Sequence, residues 1–115
     1  MALPRVADLQ VGDWQEHARF PGIYVKGLLD ASDNPFANVN VVRVPPGGTI
    51  GRHRHVQQIE TVWVIRGNAI LTLEQTEVSL NEGKITAIPM GLEHALRNES
   101  PALVELLTFF TPPLL

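Results

Sequence analysis

The placement of prolines and glycines constrains the fold of this chain most strongly. Nine prolines and nine glycines are spread along its 115 residues and are not gathered in a linker. They separate apolar segments of four to nine residues that are rich in β-branched and aromatic side chains. These segments are residues 22–29, 38–44, 59–65, 69–74, 85–88 and 102–110. Short segments bounded by turn residues are typical of antiparallel sandwiches and barrels. No segment keeps a helical period over three turns, so we predict an all-β fold with little or no helix.

Composition and length limit the class of protein. A chain of 115 residues fits one domain, and a net charge of −3 gives no sign of nucleic-acid binding. The absence of cysteine excludes disulfides and thiolate metal sites. No apolar run has the length of a membrane span, and the N-terminus lacks the apolar stretch of a signal peptide. We therefore expect a cytoplasmic protein with an N-terminal, strand-like arm over residues 1–20 and one β-barrel domain over residues 21–115.

Two of the four histidines lie close together in the stretch GRHRHVQQIE, residues 51–60. If this stretch begins as a strand, His53 and His55 share one face, because side chains alternate along a strand. Glu60 begins the next apolar segment and is expected to project toward the same interior. His94, in PMGLEHALRN, is the candidate for a fourth ligand. Three imidazoles and one carboxylate, without sulfur, suit divalent iron, manganese, nickel, copper or zinc. In an octahedral arrangement, four protein ligands leave two positions open for substrate or oxygen.

Two longer motifs contain these residues. The first, G-x5-H-x-H-x4-E-x6-G, is matched by Gly47, His53, His55, Glu60 and Gly67. The second, G-x5-P-x-G-x2-H-x3-N, is matched by Gly83, Pro89, Gly91, His94 and Asn98. The chain thereby resembles the cupin superfamily, and its spacer of fifteen residues, 68–82, is similar to that of small microbial single-domain cupins.

The resemblance implies a jelly-roll barrel of six to eight strands with a metal ion near its centre. It also implies that His53, His55, Glu60 and His94 hold that ion, one divalent transition metal per chain. Homodimers are common in the superfamily.

Other interpretations of these residues stay open. Buried histidines are more often hydrogen-bonded core residues than ligands, and some cupins have lost their metal. Arg52 and Arg54 fit an anion site, but two exposed arginines are more often part of a solvated face. His17 matches no motif position, so a surface role is expected for it.

Alternation along the strands predicts the surroundings of the metal. An apolar pocket with a polar centre is expected, as in most small-molecule sites. Its predicted wall comprises Val62, Val64, Leu96, Ile50 and Phe110, with Gln57 or Gln58 beside the metal. Such a pocket suits an apolar or aromatic molecule better than a heavily hydroxylated sugar.

The opposite face of the segment 59–65 is also largely apolar. If Glu60 points inward, then Ile59, Thr61, Trp63 and Ile65 point outward. An apolar stripe of this kind is unusual on a monomer, so we expect a homodimer. Coverage by the same chain is the alternative.

Three functions are considered, in this order. The first is a metal-dependent oxygenase, for example a dioxygenase, or a related oxidoreductase that acts on a small molecule. An epimerase needs a separate acid–base pair, and neither Tyr24 nor Glu93 offers one. The second is a non-catalytic module that captures or senses a small molecule through the metal. The third, a purely structural role, leaves the complete ligand set unexplained.

Overall fold

The computed structural model describes residues 2–114, which form ten antiparallel strands and no helix. The strands are β1 (Gln15–Glu16), β2 (Tyr24–Leu29), β3 (Asn38–Val44), β4 (Thr49–His53), β5 (Ile59–Arg66), β6 (Asn68–Leu73), β7 (Thr76–Asn81), β8 (Ile85–Ile88), β9 (His94–Arg97) and β10 (Val104–Thr111). One sheet has six strands in the order β1-β2-β3-β10-β5-β8, and the other has four in the order β4-β9-β6-β7. The predicted all-β jelly-roll barrel is confirmed, with ten strands where six to eight were expected.

The core lies between the two sheets. Strand β10 shows the alternation that builds it, because Val104, Leu106, Thr108 and Phe110 are buried while the residues between them are half-buried. The same period of two places Val62 and Val64 of β5 in the interior. Each sheet thus turns one apolar face inward, as expected for strands packed on one side.

Strands β7 and β9 lie outside every segment that was predicted to form a strand. The edge strand β7 pairs only with β6 and has five exposed residues out of six. Its backbone hydrogen bonds, and not an apolar face, make it a strand. Strand β9 has only four residues between two turns, which is too short for a periodic pattern.

The prediction of a strand-like N-terminal arm is wrong for most of its length. Residue 1 lies outside the described residues, and of residues 2–20 only β1 is a strand, paired with the start of β2. Turns at residues 9–12 direct the chain across the outer face of the six-stranded sheet. There the Lys26 ammonium donates hydrogen bonds to the carbonyls of Leu9 and Val11. The Trp14 ring contacts both Lys26 and the Arg43 guanidinium.

One row of residues on that outer face is apolar and less covered. Register places Val41, Leu107, Trp63 and Ile85 in one row across β3, β10, β5 and β8. Val41 is fully buried, whereas Trp63 is 41% and Ile85 60% exposed. No helix within residues 2–114 has the length and apolarity needed to cross a bilayer.

Candidate metal centre

The four predicted ligands come together at one end of the barrel. His53 ends β4 and His94 begins β9, and the two residues are paired in register across these strands. Glu60 is the second residue of β5, in the opposing sheet. One ligand atom from each of these residues and from His55 lies within 4.8 Å of the others. Residues 41 positions apart in the chain thus form one compact group.

His55 reaches the group by a different route from the one predicted. Strand β4 ends at His53, so His55 lies in the loop before β5 and does not share a strand face with His53. Its ring centroid is nevertheless 5.0 Å from that of His53 and 5.6 Å from that of His94. The amide of Gly91 donates a hydrogen bond to the His55 carbonyl (2.8 Å), which fixes this loop to the turn before β9.

Backbone carbonyls orient two of the imidazoles. Nδ1 of His53 lies 2.7 Å from the Gly51 carbonyl, and Nδ1 of His94 lies 2.9 Å from the Leu92 carbonyl. A carbonyl can only accept, so in both rings Nδ1 carries the proton and donates. Nε2 is then the nitrogen that remains for a metal, which is how histidine ligands are commonly oriented.

The charges of the group are coupled. Burial raises the pKa of Glu60, but the neighbouring imidazoles of His55 and His94 lower it more, so that it falls from 4.5 to about 2. Burial lowers the pKa of His94, yet its hydrogen bonds to Glu60 (3.1 Å) and to the Leu92 carbonyl raise it above 6.5 overall. Burial and the charge of His94 lower the pKa of His53. The carboxylate is therefore ionised at neutral pH, as a ligand must be.

A divalent metal ion fits this donor set. The buried Nε2 of His55 has no hydrogen-bond partner among the described residues. It lies 3.4 Å from a Glu60 carboxylate oxygen, but not in hydrogen-bonding geometry. A buried polar atom without a partner is costly, and a metal ion shared with the other three ligands would satisfy it. Imidazole and carboxylate donors without sulfur remain suited to iron, manganese, nickel, copper or zinc.

The group opens into a cavity of about 990 Å³ between the two sheets. Of the residues predicted for the pocket, four line this cavity: Val62, Leu96, Ile50 and Phe110. The ring of Phe110 stands edge-on to that of His55, with centroids 4.9 Å apart.

Three residues of the predicted pocket lie elsewhere. Val64 points inward but is fully buried in the core, one inward position beyond Val62 and away from the ligands. Gln57 is exposed in the loop before β5, and Gln58 is half-buried there. Neither glutamine lines the cavity.

The N-terminal segment contributes thirteen residues between Arg5 and Phe20 to the cavity wall, among them the charged Asp8, Asp13 and Glu16, and the sequence did not indicate this wall. His17, predicted at the surface, lines the cavity together with Phe20. Their rings are 4.8 Å apart, and the Phe20 ring is 5.4 Å from that of His53. Nδ1 of His17 accepts hydrogen bonds from the amides of Arg19 and Phe20, which leaves Nε2 protonated. No sequence pattern reveals this contact, since it depends on the path of the arm.

Arg52 and Arg54 point out of the barrel. Both guanidinium groups contact the carboxylate of Glu93, at 3.1 and 3.3 Å. Glu93 thus points away from the four ligands, as expected of a residue next to His94 in an extended segment. The three side chains form an ion-pair cluster on the surface, and neither arginine lines the cavity.

Comparison with known proteins agrees with the fold. The family model Cupin_2, described as a cupin domain, matches residues 40–110. The mannose-1-phosphate guanylyltransferases of Klebsiella pneumoniae and Escherichia coli are 33% identical over 73 residues. That stretch covers 64% of this chain but only 16% of either enzyme, so the similarity concerns a small part of those proteins.

Solved structures match nearly the whole chain. KdgF from Halomonas sp. superimposes with a TM-score of 0.83 and 21% identity, covering 96% of this chain and 94% of the other. A predicted oxalate decarboxylase from Thermotoga maritima gives a TM-score of 0.85 and 18% identity, covering 94% and 99%. The cupin domain of Schizosaccharomyces pombe Cnp3 gives 0.80 and 16%, covering 91% and 72%. At these identities the likeness establishes the fold.

Proposed function

This chain belongs to the family of cupin domains, and we propose that it is a metal-dependent enzyme of the oxygenase or oxidoreductase type. Its substrate would be a small apolar or aromatic molecule. One observation carries the proposal: the ligand atoms of three imidazoles and an ionised carboxylate converge within 4.8 Å of one another in a cavity whose wall from residue 38 to residue 110 is otherwise lined largely by apolar side chains.

The protein residues would hold the metal and limit its accessible positions. His53 and His94 are already oriented by the Gly51 and Leu92 carbonyls, so little ordering is needed when an ion binds. Glu60 would supply the negative charge that offsets part of the ion's charge. When bound, a divalent transition metal provides a Lewis acid and, if redox-active, a means of oxidative chemistry at its open positions.

The cavity wall would select and orient the substrate. Val62, Leu96, Ile50 and Phe110 offer apolar contacts next to the ligands. An apolar or aromatic body placed there removes water from both surfaces, which favours binding by about 25 cal/mol per Å² of buried apolar surface. It would also keep water away from the open side of the metal.

The second candidate is a module that binds a small molecule without converting it. The cavity wall within the barrel supports this alternative. From residue 38 to residue 110, the only titratable side chains that line the cavity are the four ligands themselves. That part of the wall therefore offers no separate general acid and base, whereas the N-terminal segment brings Glu16 and His17 to the same cavity.

Elemental analysis of protein purified without added metal tests the proposal. We expect about one transition-metal ion per chain, and its loss in a His53→Ala/His94→Ala double variant. His17→Ala is the matched control, since this histidine lines the same cavity outside the ligand group. No metal in the wild-type protein, even after incubation with each divalent ion, would refute the metal-dependent function.

Oxygen uptake then separates the enzyme from the binder. The metal-loaded protein would be screened in an oxygen electrode with a panel of small aromatic compounds. Uptake with a chemically altered product supports the oxygenase. Tight binding of a compound with neither uptake nor product supports the binding module.

A further inference from the structure

One hydroxyl group in the cavity wall has no partner. On the inward face of β10, Thr108 takes a place between Leu106 and Phe110 where an apolar residue is expected. Thr108 is only 3% exposed, and no described residue forms a hydrogen bond with its Oγ1 atom. A buried hydroxyl without a partner destabilises a fold, and valine has nearly the same shape without this cost. The position therefore indicates a partner that comes from outside the chain.

A second polar side chain lies beside it. In the pairing of β10 with β3, Thr108 is directly opposite Asn40, and both residues line the cavity. Directly opposed residues of antiparallel strands have Cβ atoms about 5 Å apart. On its other side Thr108 pairs with Val62 of β5. Asn40 and Thr108 thus form an uncharged polar pair in the wall of the cavity.

The pair is close to the metal centre. Glu60, one of the four ligands, is paired with Phe110, the next inward residue of β10 after Thr108. Two residues along a strand span about 6–7 Å. One small molecule can therefore bridge the metal centre and the polar pair across the cavity.

We propose that Asn40 and Thr108 bind an uncharged oxygen, a hydroxyl or carbonyl, of the small molecule whose other end binds at the metal centre. The proposal rests on the metal-dependent function given above and narrows its substrate class. An amide and a hydroxyl both donate and accept hydrogen bonds. Since neither carries a charge, they suit a neutral group better than a second carboxylate or a phosphate. The substrate is then an apolar or aromatic body with a metal-binding group at one end and a neutral oxygen about 6–7 Å away.

Simple aromatic acids serve as probes. The full chain would be loaded with Co²⁺ and titrated with benzoate and with its 2-, 3- and 4-hydroxy derivatives, and the visible absorption of the cobalt would report binding. We expect 4-hydroxybenzoate, whose hydroxyl lies across the ring from the carboxylate at about 6–7 Å, to bind about five- to tenfold more tightly than benzoate, as one additional hydrogen bond provides. Thr108→Val should abolish this preference and leave benzoate binding unchanged, whereas Thr108→Ser should retain it.

Two controls make the test specific. Thr61→Val makes the same change on the outward face of neighbouring β5 and should leave the preference intact. In the metal-free protein, Thr108→Val should leave the melting temperature unchanged or raise it, because a costly buried group is removed. A clear decrease would mean that the hydroxyl is bonded within the fold, and the proposal would be overturned.

The remaining outcomes separate this proposal from the proposed function. Equal affinity of the wild-type protein for benzoate and 4-hydroxybenzoate, or a preference for 4-hydroxybenzoate that survives in Thr108→Val, overturns the role of the polar pair while metal-dependent binding stands. A wild-type protein that takes up no cobalt, or whose spectrum no acid changes, refutes the metal-dependent function first and this inference with it.

Discussion

Replacement of Gly67 by alanine should destabilise the barrel more than the same change at another turn glycine. Gly67 joins β5 to β6 with a φ of +92°, and an added Cβ atom would lie 2.6 Å from the Leu103 carbonyl oxygen. It would also lie 3.0 Å from two atoms of Val104, at the start of β10. Gly83 has nearly the same φ, +88°, but its added Cβ atom would meet nothing within 4 Å. The two positions therefore share the backbone strain and differ in the close contact.

The expected magnitudes follow from these two contributions. A left-handed conformation costs an alanine about 1–2 kcal/mol, and this applies to both variants. Forcing a methyl group against backbone atoms costs a further 1–3 kcal/mol or so, and this applies to Gly67→Ala alone. We expect the free energy of unfolding to fall by about 1–2 kcal/mol in Gly83→Ala and by about 2–5 kcal/mol in Gly67→Ala.

Urea unfolding followed by tryptophan fluorescence measures the difference. Metal-free protein is used, so that metal binding does not add to the stability. The midpoint should decrease further in Gly67→Ala at an unchanged slope. If the free energy of unfolding decreases by the same amount in both variants, to within about 0.5 kcal/mol, the steric reasoning is wrong. The close contact of Gly67 with residues 103–104 would then not explain why this position needs glycine.

Four further outcomes are expected. Glu60 has a pKa of about 2 in the fold against 4.5 in the unfolded chain, so its ionised form stabilises the metal-free protein above about pH 4.5, and this stabilisation is lost as the pH falls toward 2. In urea unfolding, the free energy of unfolding should therefore decrease less from pH 5 to pH 3 in Glu60→Gln than in the wild type. An equal decrease in both proteins contradicts the low pKa of Glu60. Phe20→Ala should let a chelator remove bound metal faster, measured by competition kinetics, whereas Phe36→Ala, at a side chain 78% exposed, should not. Val62→Lys should abolish small-molecule binding in ligand titrations, while elemental analysis still finds the metal. Unchanged binding would show that Val62 does not line the binding pocket. Trp63→Lys should dissociate a homodimer formed through the outer sheet face, as seen by sedimentation, and a dimer of unchanged stability places the interface elsewhere.

Local patterns in the sequence predicted most of the barrel and the candidate ligands. Alternation of apolar residues, as in β5 and β10, depends only on the period of the strand, so it can be read without knowledge of neighbouring strands. The turn glycines and prolines similarly mark strand ends by their own backbone preferences. His53, His55, Glu60 and His94 lie in motifs of fixed spacing, which made them recognisable as a group. Edge strand β7 was not predicted, because its stability comes from backbone pairing with β6 and its sequence therefore has no apolar pattern.

Tertiary structure decided what else surrounds the metal centre. The path of the N-terminal arm brings Phe20 against His53 and places His17 in the cavity, although neither belongs to a motif. Strand register sets Asn40 opposite Thr108, 68 positions later in the chain, and such a pairing has no signature in either segment. The low pKa of Glu60 likewise depends on the imidazoles of His55 and His94, which the loop before β5 and strand β9 bring close to it. Strand periods and motifs of fixed spacing are local properties, so they can be recognised in the sequence alone. Contacts between distant segments form only when the two sheets pack against each other, so they cannot be predicted in this way.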